Sequence, residues 1–448
     1  MVSSVLSELR AYTPLVELGL SVGVLVGLGA LIVAALARWA GHSKPLWIVY
    51  AAHLGTGLLV HIFNLVPSPD AALYDDLARR QLDYWSGVSL FEPTFTDGKE
   101  GWMLLLAVVY WLLTPDIVLG VTLNCIVATA TAAVLMQITQ RLGWEGAARA
   151  AAYLTLLPGL LLWSVLPLRE SFVWLFTALA AWAAAGLLQP ARRVRAALVL
   201  VVAIGCGLFF RGSVIAILVA GLGVGVFLAR QRASKFAVAL CVALLVGMAG
   251  PGLSVIERTG VTSSLDQVNR SRSSLSTAAS GFEVERYQGL GSVTSTLPST
   301  LPRVVVGPYP QELINLGMLV WVDWAAWLLL LVLASRGARR APGRGRWLLA
   351  SPAAALAFAL AATSGNYGTM IRLREQVGVL LVPLAAAGLT YAKRSKVNPL
   401  PTTGAEAAVQ AIHQPKVSLP SRPALRPDDR AGHIATLHPV RLDGLEER

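Results

Sequence analysis

The chain has 448 residues, of which 55% are hydrophobic and 14% charged, against ~25% charged residues in an ordinary soluble domain. That excludes a soluble enzyme built round a single core. The net charge of +12 would suit nucleic acid, but the basic residues cluster in short segments between apolar runs, which marks membrane topology and argues against a nucleic-acid partner.

The apolar runs approach the ~20 residues that cross ~30 Å of hydrocarbon as helix, so the fold class reads as all-α, a polytopic integral membrane protein. Taken in chain order, the expected spans are Leu18 to Leu36, Leu46 to Val66, Ile117 to Ile138, Ala147 to Val165, Ser171 to Leu188, Ala196 to Phe210, Ser213 to Ala229, Phe236 to Leu253, Leu313 to Ala334, Trp347 to Thr363 and Val377 to Ala392. These are about 11 transmembrane helices. Basic clusters at Arg38 and Lys44, Arg141, Arg192 to Arg195, Arg230 to Lys235, Arg336 to Arg346, and Lys393 to Lys396 are assigned to the cytoplasmic side. The N-terminus is then outside and the C-terminus inside. The first apolar run has no basic leader and reads as a span rather than a signal peptide. Cys125, Cys206 and Cys241 each lie in an apolar run, where cysteine behaves as a small hydrophobe.

Gly101 to Thr114 is apolar but covers only ~21 Å as helix. Counting it as a span would invert every later loop, so it reads as an interfacial or re-entrant helix on the outer face, with Trp102, Tyr110 and Trp111 at headgroup level. Two outer segments are long. The first, 67–116, is acidic; the second, 257–311, is rich in Ser, Thr and Gly and ends in Gly307-Pro308-Tyr309-Pro310. The transmembrane domain then occupies residues 1–392, and residues 393–448, with several prolines and no aromatic residue after Lys396, read as a disordered cytoplasmic tail.

Four arginines defy the topology bias: Arg169, Arg211, Arg372 and Arg374 all fall in short outer turns. Singly, each has an ordinary reading as the partner of a neighbouring acid such as Glu170 or Glu375, or as a side chain snorkelling to lipid phosphate. Jointly they suggest a converging anion site, since guanidinium suits bidentate phosphate recognition. The carboxylate best placed to work beside them is Asp70, just after the second span. Tyr74 and Ala78, four and eight residues on, would share a face of the next short helix. Near the water boundary Asp70 has the chemistry of a general base towards a hydroxyl; its ordinary reading is a helix N-cap. Asp323, about ten residues into its expected span, is costly without a partner, which an arginine or Asn124 would supply. His61 stands close enough in sequence to tune the site, while His53 reads as core. No cysteine and histidine cluster at metal spacing, Walker loop or internal repeat is found.

These residues resemble a known family. The D-x-x-x-Y-x-x-x-A run from Asp70 to Ala78 is similar to the D-E-x-x-Y-x-x-x-A segment of GT-C superfamily glycosyltransferases, which include dolichyl-phosphate-mannose protein mannosyltransferases and bacterial aminoarabinose transferases. Trp163 to Glu170 looks like the W-S-x-x-x-x-K-D/R-E turn of polysaccharide-locus members. Phe210-Arg211-Gly212 resembles their F/Y-R-P turn, Gly307 to Pro310 resembles R-P-F-P-W, and Gly365 to Gln376 resembles G-N-x-G-x-x-x-R-x-R-x-Q. The resemblance covers roughly Pro67 to Ala392. The chain departs from it at Ala71 (for Glu), Gly212 (for Pro), Gly307 (for Arg) and Gln311 (for Trp), and in having an extra N-terminal span.

The resemblance implies a GT-C-like bundle in a bacterial plasma membrane. It implies an inverting transfer of a sugar from a polyprenyl-phosphate donor to a glycan, lipid or protein hydroxyl on the outer face. Asp70 would be the base, Arg169, Arg211, Arg372 and Arg374 would hold the lipid phosphate, and Tyr74, His61, Glu170 and Asp323 would support them. A divalent cation, Mg or Mn, is left open. Two other readings stand beside this one: a polysaccharide polymerase or ligase acting on polyprenyl-pyrophosphate-linked glycan, and a lipid-linked sugar flippase with no covalent chemistry.

Overall fold

The structure, a computed structural model, describes residues 2–66, 68–94, 100–230, 262–276, 281–282, 284–288, 290–314, 317–341, 343 and 345–397. The expected span Phe236 to Leu253, the tail beyond Val397 and Cys241 lie outside the described residues. In chain order the helices are α1 (Val2–Ala40), α2 (Ser43–Ile62), α3 (Pro69–Trp85), α4 (Glu100–Leu112), α5 (Ile117–Arg141), α6 (Ala148–Leu154), α7 (Pro158–Val165), α8 (Glu170–Leu187), α9 (Arg193–Arg230), α10 (Thr262–Ser276), α11 (Leu290–Val306), α12 (Pro310–Leu313), α13 (Met318–Arg340), α14 (Trp347–Thr363) and α15 (Tyr367–Val397). No strand occurs among the described residues beyond one isolated bridge, Gly281 to Asn366.

Seven of these helices are long and apolar enough to cross a membrane, or eight if the pair 145–154 and 158–165, bent by 62°, is one span. The outward faces agree with that reading. Leu20, Val24 and Leu31 on α1, Leu198 and Val201 on α9, and Leu319 and Leu329 on α13 are all exposed. Many large apolar side chains exposed along helices of crossing length suit a surface that meets lipid.

Although α9 is continuous in chain, it doubles back. Arg211 alone inside it is extended (φ −163°, ψ 80°). A β-carbon on Gly207 would fall 2.7 Å from the Ile215 side chain, whereas eight residues of straight helix separate by ~12 Å. Both ends of α9 also meet the C-terminal end of α8: Ala196 packs on Gly186, and Arg230 donates to the Leu187 carbonyl at 3.4 Å. α9 is therefore a helical hairpin, and Arg211 is its tip.

The hairpin fixes the two ends of the bundle. At one end Gln137 donates to the Trp39 carbonyl at 2.8 Å, Arg141 to that of Trp182 at 3.0 Å and Gln189 to that of Arg141 at 3.1 Å, so the basic clusters around Arg38, Arg141, Arg192 and Arg230 gather there. The opposite end holds the Arg211 tip, the start of α8 and the helices α3 and α4.

α5 runs through the middle. Its small residues let neighbours approach closely, and its buried threonines Thr122, Thr129 and Thr131 return their hydroxyls to the carbonyls four residues earlier, leaving no donor orphaned in an apolar setting.

Three local expectations change. α2 stops at Ile62, not Val66, because Asn64 turns into the left-handed region (φ 45°). Trp102 and Tyr110 of α4 are buried against α3, α5 and α8 and do not face outward, whereas Trp111 is exposed. The cysteine expectation divides: Cys125 is buried and Cys206 exposed on α9.

Candidate functional site

α3 forms because Ser68 caps it, accepting a hydrogen bond from the Ala71 amide at 3.4 Å, and Pro69 opens its first turn. Asp70 is thus not the N-cap but the second residue of the helix. Ala71, Tyr74, Ala78 and Gln81 make the buried face, the spacing that one side of a helix requires. Three other acids of the first outer segment are occupied with structure. Asp75 accepts from the Tyr110 hydroxyl and pairs with Arg79 at 2.9 Å, Asp76 pairs with Arg80 at 2.9 Å, and Asp116 caps α5.

The turn between α7 and α8 carries Arg169 and Glu170. Three side chains from three elements pin it. Asn124 of α5 donates to the carbonyls of Leu166 and Leu168, Trp102 of α4 donates to Pro167 at 3.1 Å, and Ser171 donates to Ser164 at 2.7 Å. Asn124 is therefore not the partner of Asp323; it builds the turn. Asn124→Ala is expected to lower the unfolding midpoint, since two buried carbonyls lose their donor at about 1–3 kcal/mol each. Thermal unfolding of the purified protein in detergent checks this.

On this frame the expected residues come together. Arg372 of α15 reaches Asp70 with Nη1 to Oδ2 at 2.6 Å and Glu170 with Nε to Oε1 at 3.3 Å. Arg211, at the hairpin tip, stands 3.5 Å from the same Glu170 oxygen. Arg169 donates to the Phe210 carbonyl at 3.3 Å, and Phe210 stacks on Phe172 with centroids 4.9 Å apart. Tyr74 lies beneath, buried; burial pushes its hydroxyl pKa up to about 12, with neighbouring Arg169 and Arg372 pulling the other way, so it stays neutral. The position of Arg372 follows from Gly365-Asn366: Asn366 Oδ1 accepts from the Thr369 amide at 3.1 Å and starts α15.

The charge balance of this cluster is uneven. Three arginines face two carboxylates, and the buried Arg211 Nη1, Arg372 Nε and Glu170 Oε2 make no hydrogen bond among the described residues. Asp70 is the most open of the ion-paired groups, its side chain 36% exposed against 1% for Glu170. Excess guanidinium charge with unspent N–H groups, near the N-termini of α3 and α8, favours an incoming anion. A divalent cation does not fit: both carboxylates are already spanned by arginine, and no group of three metal-ligating side chains converges among the described residues.

Arg374 is elsewhere. Two residues from Arg372 on a helix, it points ~200° away. Fully buried, it donates to Asp323 Oδ2 at 2.6 Å and to the Gly307 carbonyl at 2.7 Å, with Glu375 at 3.8 Å and the Trp327 ring beneath. Asp323 sits only in the second turn of α13, shallower than a span beginning at Leu313 implies, because α13 starts at Met318. Gly159 leaves room for this cluster, since a β-carbon there would collide with Asp323 Oδ1 and Glu375 Oε1. The assembly ties the Gly307 turn to α15. Asp323→Leu is expected to destabilise the fold by about 3–5 kcal/mol, the cost of leaving a buried arginine short of its partner, and Asp323→Asn by less. The thermal unfolding midpoint in detergent reads it.

His61 is exposed and lines a cavity of about 330 Å³ with Asn64, Ser68, Ala71 and Pro167. It borders the cluster without joining it. His53 is buried, its Nδ1 2.8 Å from the Val49 carbonyl, a core residue as expected.

No protein-family model matches the chain, and no curated protein matches it either.

Proposed function

We propose that the chain is a membrane glycosyltransferase that moves a sugar from a polyprenyl-phosphate donor to an acceptor hydroxyl at the Asp70 end of the bundle, with inversion. One observation carries the reading: a partly exposed carboxylate, Asp70, shares the Arg372 guanidinium with Glu170, beside partly buried arginines that outnumber their acids. The set suits a departing phosphate, and the carboxylate suits an attacking hydroxyl.

In the free protein Arg372 holds Asp70. A donor phosphate drawn to Arg372, Arg211 and Arg169 competes for that guanidinium, which releases the carboxylate towards the acceptor. The hydroxyl then attacks the anomeric carbon from the face opposite the phosphate; its proton passes to Asp70, and the bond to the phosphate oxygen breaks with its electrons staying on the phosphate. The excess positive charge lowers the cost of that leaving group.

The topology that goes with this reading has 11 crossings. Counting the arms of α9 separately, the bent pair as one and α14 as a crossing accounts for the expected spans apart from Phe236 to Leu253. The arginine-rich end then faces the cytoplasm, and the Asp70 end faces outward across a bacterial plasma membrane, where cell-envelope acceptors are found. GT-C-like architecture belongs to the same reading.

The test is transfer of radiolabelled sugar from the cell's own polyprenyl-phosphate pool to extracted glycan, in membranes with and without the chain. Label that enters glycan only when the chain is present supports the proposal. Label that stays on the lipid but crosses the bilayer replaces it with a flippase.

A further inference from the structure

A second polar site lies above the start of α15. Between α10 and residues 284–288 is a cavity of about 360 Å³ lined by Asp266, Arg270, Arg272, Ser273, Glu285 and Arg286. It is built rather than incidental. Asn269 clamps the backbone of Tyr287 from both sides, donating to its carbonyl and accepting from its amide, each at 2.9 Å. Arg272 lies over the Tyr287 ring at 3.8 Å and donates to the Glu285 carbonyl at 3.0 Å.

Three arginines again face two carboxylates there. Arg286 is 3.2 Å from Asp266. Arg272 is 2% exposed, and its Nε has no hydrogen-bond partner among the described residues. Burial pushes the Arg272 pKa down, a cost that an anion beside it would offset. The exposed residues of α10 include Asp266, Arg270, Ser273 and Ser274, so the cavity opens to water rather than to lipid.

Its floor packs on the segment that leads into α15, the helix that carries Arg372. The Phe282 amide donates to the Gly365 carbonyl at 3.1 Å, and Gly365 packs so closely on the Arg272 carbonyl that a β-carbon would sit 2.6 Å from it. From Gly365 to Arg372 is mostly helix at ~1.5 Å per residue, on the order of 10 Å, the reach of a sugar unit or two.

We infer that this cavity holds an anionic group, a carboxylate or phosphate, carried by the acceptor glycan while its hydroxyl is presented at Asp70. The inference rests on the transferase reading for its role, and on the cavity alone for its chemistry.

Calorimetric titration of the full-length protein in detergent tests it. The probes are a glucuronate-containing tetrasaccharide, neutral maltotetraose, and acetate or inorganic phosphate as competitors. The anionic tetrasaccharide is expected to bind and the neutral one not. Arg270→Gln and Arg286→Gln, both at the open rim, should each raise Kd by about tenfold, as loss of a charge-assisted hydrogen bond does, while Arg80→Gln on α3 should leave it unchanged. Stronger competition by acetate marks a uronate-type acceptor, and stronger competition by phosphate a phosphorylated one; either supports the inference. Equal binding of maltotetraose, wild-type affinity in both arginine variants, absence of binding, or displacement by anionic lipid alone overturns it. The transfer assay on the same preparations separates the two claims: binding without transfer removes the function but keeps the site, and transfer without binding removes only the site.

Discussion

Asp70→Asn is expected to reduce sugar transfer by about 10²–10⁴-fold, the range a positioned general base supplies. The amide is the same size and still accepts a hydrogen bond from Arg372, so the 2.6 Å contact survives in weakened form and the fold is retained. What is lost is the capacity to take the acceptor's proton. The loss should therefore appear in turnover rather than in donor KM. If Asp70 served only to anchor α3 to α15, the same substitution would lower the unfolding midpoint and leave turnover per folded molecule nearly intact. Measuring both on one preparation decides between them.

Much of the bundle was legible because the bilayer imposes its own arithmetic on sequence. Runs of apolar residues near the crossing length can do little else, and the arginine-rich segments assign them to a common end. The hairpin could be read from Phe210-Arg211-Gly212 for the same reason: an arginine between two apolar arms has to be at an edge. Helix ends were less legible. The stop of α2 at Ile62 depends on Asn64 adopting φ 45°, and the start of α13 at Met318 on a turn at Gly317 (φ 84°). Neither follows from hydropathy, which continues across both.

The site was legible as a set of unusual charges, not as a geometry. Asp70, Tyr74, Arg169, Glu170, Arg211 and Arg372 are each conspicuous in sequence, and long-range packing brings them together. Treating Gly365 to Glu375 as a turn hid the fact that α15 already begins at Tyr367, so that Arg372 and Arg374 must face opposite ways. The 100° per residue of a helix would have separated them. Asn124 and Trp102 were missed as builders of the Arg169 turn because their partners are backbone carbonyls more than forty residues away, and a carbonyl carries no sequence signal.

Arg372→Lys is the more searching test, because the Arg372 guanidinium contacts both Asp70 and Glu170. Lysine preserves the charge but not the planar fork that reaches two carboxylates at once. Transfer is expected to fall by about 10²–10³-fold, comparable to removing one donor that stabilises a developing anion, and donor KM should rise with it. The same geometry makes a sharper claim. If donor phosphate must win Arg372 from Asp70, then Asp70→Asn, which loosens that hold, should tighten donor binding even as it stops turnover. The two substitutions should then fail to add: in the double variant the loss of turnover should be well below the product of the single losses, the mark of groups that work as a unit. A full product of losses, with donor affinity unchanged by Asp70→Asn, would mean that the phosphate binds without disturbing the Arg372–Asp70 pair, and that the carboxylate is freed by some other movement.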